Sequence, residues 1–249
     1  MISESLTQDV QEMRRLNQFG IFTFSIKILL AYLLSVTLIL IGATQRAVAA
    51  TYFEPQTNFE ENEIPLTSYN WNTERIDGCI YKEDGIPNSY YVWTKLAVQS
   101  WRQALREYTE NYAAWNISAR HITSLDKAEK CNIIFYIYDS YKDFPDYPNQ
   151  TGAYTVAEHQ NGAPLLIHIY LSPVVLHADG HTEIDLPSYA FRNSAIHETG
   201  HALGLGHMNS LKGYLMSPQF DFWEQQKEFP ITTLELSALV KLYGEDGFA

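Results

Sequence analysis

The sequence predicts an α+β domain, and three stretches predict it. Residues 132–138 (NIIFYIY) form a largely apolar run of strand length, as a strand covered on both faces requires. Trp93, Ala97, Trp101, Leu105, Tyr108 and Tyr112 recur at three-to-four-residue spacing, which lays one apolar stripe along a helix over residues 90–112. That stripe reads as core packing and not as a cofactor site. Near the end of the chain, Thr232 and Glu235 have the spacing of a capping box. Leu236, Leu239, Val240 and Leu242 then continue as a helix until Gly244.

The remaining elements follow in order. Residues 76–81 read as the first strand, ahead of the helix over 90–112, and residues 115–122 as the second. After the central strand come residues 151–159 and 165–171, two strands joined across Asn161-Gly162, a dipeptide suited to a hairpin turn. Pro187 and Ser188 open another helix, with Ser188 as its N-cap. Outside the N-terminal segment about 200 residues remain, enough for one sizeable core. A hydrophobic content of 46% with 14% aromatic residues fits such a core. The expected division is residues 1–49, an N-terminal extension over 50–74, and one domain over 75–249.

Charge and the N-terminus bound the surroundings. A formal net charge of −12 argues against nucleic acid or an anionic membrane surface as partner. Residues 21–42 are apolar except for Lys27 and a few hydroxyl side chains, Arg14 and Arg15 precede them, and Ala47-Val48-Ala49 offers a small-x-small cleavage site. The segment is therefore either a signal peptide or a single uncleaved membrane anchor. Both place the rest of the chain outside the cytoplasm, secreted or anchored. Nothing in the sequence speaks to oligomeric state.

The chemistry is concentrated in His197-Glu198-Thr199-Gly200-His201-Ala202-Leu203-Gly204-Leu205-Gly206-His207. Histidines four apart on a helix share a face, so both imidazoles reach one metal ion. Glu198 is rotated off that face and suits a general base acting on a metal-held water. Gly204 can take a positive φ, end the helix and turn the chain so that His207 arrives as third ligand. Three protein ligands leave a fourth position open, the arrangement of a catalytic zinc site.

The pattern H-E-x-x-H-x-x-G-x-x-H resembles the zinc core of the metzincin metalloproteases at every specified position. Leu215-Met216-Ser217-Pro218 resembles that superfamily's Met-turn, with Met216 beneath the metal. Pro218-Gln219-Phe220 resembles the segment walling the primary specificity pocket of the matrixins, with Phe220 where that family has tyrosine. The order of elements over residues 75–244 is similar to a whole matrixin catalytic domain. This resemblance implies a zincin-like fold with a twisted, mostly parallel sheet, an active-site helix, a Met-turn and a C-terminal helix. It implies a zinc endopeptidase acting on a protein or peptide. Turnover by cell-wall peptide amide hydrolysis, or a metzincin fold that binds without turnover, are the alternative readings.

Further implications rest on the same likeness. Cys79 and Cys131 would sit on neighbouring strands, where they either form a disulfide in an oxidising compartment or stay as buried thiols. Matrixins often carry a structural zinc and calcium ions before the catalytic helix. His159, His168, His177, Asp179 and His181 lie in that region without the family's spacing. Residues 177–181 are the best candidate for a second zinc or a calcium, against a solvated polar loop. His121 has no expected metal role, and Met208 reads as packing. Cys79, the one cysteine ahead of the first helix, sits in a strand pattern, so latency through a propeptide cysteine is not expected.

Overall fold

A five-stranded sheet, one strand of which lies along the helix bearing His197 and His201, organises the chain. The computed structural model describes residues 53–54 by their backbone and residues 64–145, 152–177, 179, 181–208, 214–218 and 227–248 in full. The elements begin with β1 (Phe53–Glu54), β2 (Ile76–Lys82), α1 (Asn88–Tyr108), β3 (Ile117–Ile122) and β4 (Ile133–Ile137). Then follow β5 (Ala153–Gln160), β6 (Ala163–Leu171), β7 (Val174–Leu176), β8 (Glu183–Asp185), α2 (Ser188–Ala202), β9 (Ile231–Thr232) and α3 (Thr233–Tyr243). The sheet order is β3-β2-β4-β6-β5, with β5 antiparallel and every other pairing parallel. The fold is the α+β, mostly parallel architecture of the metzincins. The signal or anchor reading of residues 1–49 lies outside the described residues. Among the described residues no helix is long and apolar enough to cross a membrane.

The strand pleat sorts the core. On the inner face Ile133, Phe135 and Ile137 of β4 and Ile167, Ile169 and Leu171 of β6 are fully buried against α1 and α2. On the outer face Ile134 packs with Cys79, Ile122 and Cys131, and Tyr136, Tyr154 and Tyr170 stack at 4.6–4.9 Å. Both faces are thus covered by apolar groups, which is why residues 132–138 carry no polar alternation. Cys79 and Cys131 are joined in a disulfide, with their Cα atoms 5.9 Å apart, where β2 and the residue leading into β4 run side by side.

Several boundaries differ from the sequence reading. The first helix ends at Tyr108, not Tyr112, because Glu110 takes a φ of 53° that no helix continues. Tyr112 is 62% exposed and leaves the buried stripe. Ser188 is the first helical residue of α2. The cap position is Pro187, without a side-chain hydrogen bond, so Ser188 is not the N-cap. Asn161 and Gly162 both have positive φ (54° and 79°), as a two-residue hairpin turn needs, and β5 and β6 meet across them. The capping box of α3 is complete, with Thr232 and Glu235 bonded reciprocally.

Candidate metal centre

Helix α2 carries the motif and is buried along most of its length, with Ala190, Phe191, Ala195, Ile196 and Ala202 in the core. It is gripped from α1, where Trp101 Nε1 donates to the Ile196 carbonyl at 2.8 Å. Its C-terminal carbonyls have no helical partners, and burial would make them costly. Distant donors meet them: Tyr69 Oη to His201 O at 2.7 Å, Trp71 Nε1 to Ala202 O at 2.8 Å, and Tyr243 Oη to Leu203 O at 2.8 Å. Gly204, at φ 108°, turns the chain out of the helix, and the Leu205 amide bonds back to Gly200 O at 3.0 Å. The sequence reading left residues 64–71 as an extension. The buried aromatics Tyr69 and Trp71, two residues apart, were the available signal.

The turn delivers His207 to the two helical histidines. Nε2 of His197, His201 and His207 lie 2.9–3.1 Å from one another. The other ring nitrogens fix the tautomers: His197 Nδ1 donates to Leu215 O at 2.6 Å and His201 Nδ1 to Leu205 O at 2.7 Å. With Nδ1 protonated, Nε2 of both rings is a bare lone pair. Neutral rings so tautomerised cannot donate to each other across the cluster. Burial pushes the pKa of His197 well below its usual range, that of His201 down to about 4, and that of His207 downward, so the rings are neutral at neutral pH. Two bare lone pairs converging with a third neutral ring call for a cation. Imidazole nitrogens sharing a tetrahedral zinc stand about 3.3 Å apart, close to the spacing here. Among the described residues these three are the group of metal-ligating side chains that converges. The donor set fits zinc.

Glu198 is buried beside them, 6% exposed, and its Oε2 accepts a 2.6 Å hydrogen bond from Thr155 Oγ1 of β5. Burial pushes its pKa up to about 7, against the lowering effect of that hydrogen bond. A cation held by the three imidazoles favours the carboxylate and draws the value back down. Beneath α2 lies Met216, fully buried. A Cβ on Gly200 would come within 2.7 Å of its sulfur and 3.1 Å of the Trp101 ring. Gly200 is therefore what lets the methionine lie against the helix. The Met208 amide bonds to Met216 O at 2.9 Å, tying the third-ligand segment to the same turn.

The other named residues are more scattered. Pro218 is exposed just past the Met-turn, and Phe220 lies outside the described residues. The Asp179 carboxylate is taken up within its own loop, accepting from the His181 and Thr182 amides and from Thr182 Oγ1. These bonds pull its pKa well below the usual carboxylate range. His168 bonds Tyr136 Oη and Glu158 at 3.1 Å each on the outer face of the sheet, and His121 lies against Tyr91. Sequence reasoning missed Asn193, 1% exposed in α2. Its side chain accepts from the Phe229 amide and donates to Lys227 O, fixing where the chain returns after residues 219–226.

Two tautomer-locked imidazoles and the His207 ring converge on one point; with a buried glutamate next to them and a methionine packed beneath, they form a metzincin-type three-histidine site on the metzincin fold. A sequence model of the matrixins, zinc-dependent metallopeptidases, matches residues 113–244, more than half of the chain; the chain belongs to this family. No curated protein matches it. The match begins after β2 and α1, yet both pack in the same sheet and core as the matched part.

Proposed function

We propose that this chain is an exported zinc endopeptidase that hydrolyses peptide bonds in proteins or peptides, with Glu198 as general base. The observation that carries the reading is the convergence of three imidazole Nε2 atoms, 2.9–3.1 Å apart, beside a buried carboxylate. His197, His201 and His207 would hold the zinc. When bound, the ion supplies an acidified water and positive charge for the developing oxyanion. Glu198 would act as the base, its carboxylate taking a proton from the attacking water and giving it to the leaving amine. Leu215 O and Leu205 O keep the two helical imidazoles in the tautomer that binds metal. By the matrixin resemblance, Pro218 and Phe220 would wall the primary specificity pocket. The N-terminal segment would deliver the enzyme outside the cytoplasm, cleaved or as an anchor.

The test is cleavage of a mixed peptide library, alongside cell-wall fragments, by the purified chain, its Glu198→Gln variant and a chelated sample. The reading expects one zinc per chain and activity lost on chelation and restored by zinc. It expects Glu198→Gln to lower kcat by about 10²–10⁴-fold while still binding zinc. A zinc-loaded chain that cleaves no peptide would overturn it. Hydrolysis confined to cell-wall fragments would redirect the substrate assignment while leaving the chemistry in place.

A further inference from the structure

The pleat of β5 turns Ala153, Thr155 and Ala157 to the inner face, opposite Leu171, Ile169 and Ile167 of β6, all three fully buried. Two of these three positions are alanines, small enough for the strand to lie along α2. The third is a threonine whose hydroxyl meets Glu198. Thr155 Oγ1 is 2.6 Å from Glu198 Oε2, within the range of a charge-assisted O–H···O⁻ bond. The same hydroxyl is 3.2 Å from the backbone carbonyl of Glu198. One strand side chain thus touches both ends of the glutamate.

We propose that Thr155 is the positioning residue of the general base. Its hydroxyl fixes Oε2 and the side-chain torsions, and so assigns Oε1 to the attacking water. A glutamate has three side-chain torsions, whereas a base must be held to about 0.5 Å to act well. Burial alone does not supply that, because apolar walls do not orient a carboxylate. With Oγ1–H given to Oε2, Oε1 is the carboxylate oxygen left to take up and release the proton. This rests on the peptidase reading for its chemistry, but the contact between Thr155 and Glu198 belongs to the fold.

Thr155→Val removes the hydroxyl at almost constant shape, and Thr155→Ser keeps it. Both are compared with wild type and Glu198→Gln in the full zinc-loaded chain. Turnover is measured on a cleaved peptide, and crystal structures of wild type and Thr155→Val are determined. Thr155→Val is expected to lower kcat by about 10–100-fold. Its KM and zinc content should stay within about twofold of wild type, and Thr155→Ser should recover most of the rate. In the crystal the Glu198 carboxylate should leave its wild-type position when Thr155 is valine. An unmoved carboxylate, a loss expressed in KM, or equal damage from serine and valine would each overturn the proposal. If wild type cleaves nothing, the peptidase reading fails separately, and the pair of crystal structures still decides whether Thr155 holds Glu198.

Discussion

At the scale of single residues, the centre depends on one missing atom. Gly200 stands inside α2, where glycine costs about 1 kcal/mol relative to alanine. The fold accepts that cost because Met216 and Trp101 occupy the space a side chain would need. Trp101 cannot retreat, since its indole is bonded to Ile196 O. Gly200→Val should therefore destabilise the protein by about 2–3 kcal/mol through overpacking, despite valine's better helix propensity. Urea denaturation of the metal-free chain measures this; an unchanged midpoint would mean that Met216 moves aside freely. All three histidines and Glu198 were visible in the motif because their spacing is local, whereas Gly200 falls at a position the motif leaves open. What Gly200 makes room for was not visible, since Trp101 comes from another helix.

Among elements, α3 begins with a carboxylate taken fully out of water. Glu235 is 0% exposed, and its Oε2 closes the capping box by accepting from the Thr232 backbone amide and hydroxyl. Burial raises its pKa above the ordinary 4.5, and the hydrogen bonds oppose but do not cancel the rise. The folded state then holds this proton more tightly than the unfolded state does. Its contribution is most favourable below the ordinary value and weakens as pH rises through the raised one. Glu235→Gln carries no such proton. The wild type should lose stability relative to Glu235→Gln as pH rises above the ordinary 4.5, as read from paired unfolding curves. A constant difference across that range would count against the raised pKa.

The capping box and the buried strands were legible because caps and apolar runs are written in consecutive residues. The end of α1 was not. Tyr112 extends the apolar period, but the positive φ of Glu110 breaks the helix before it, and glutamate gives no warning of that conformation. Helix α2 shows no apolar face because it is buried nearly all round. Its Pro187-Ser188 start and its metal chemistry identified it.

For the whole molecule, the disulfide closes a loop of 52 residues that spans α1 and β3. On the chain-entropy model that cross-link stabilises by about 4 kcal/mol. Replacing both cysteines with serine should lower the unfolding free energy by about this much and leave zinc binding intact, because the bond lies on the outer face of the sheet, away from the histidines. Equilibrium denaturation with and without reductant checks it; equal midpoints would show that the bond does not form in solution.

The aromatic donors at the end of α2 have a consequence in time. Two ligands, His197 and His201, are set by one turn of helix, but the strand of chain that carries His207 leaves a terminus held by Tyr69, 132 residues before His201, and by Tyr243, 40 residues after Leu203. During synthesis the motif emerges before Tyr243 does. A nascent chain therefore has its three histidines, Tyr69 and Trp71 in hand while the last donor of the clamp is still unmade. The clamp closes late, with the last helix.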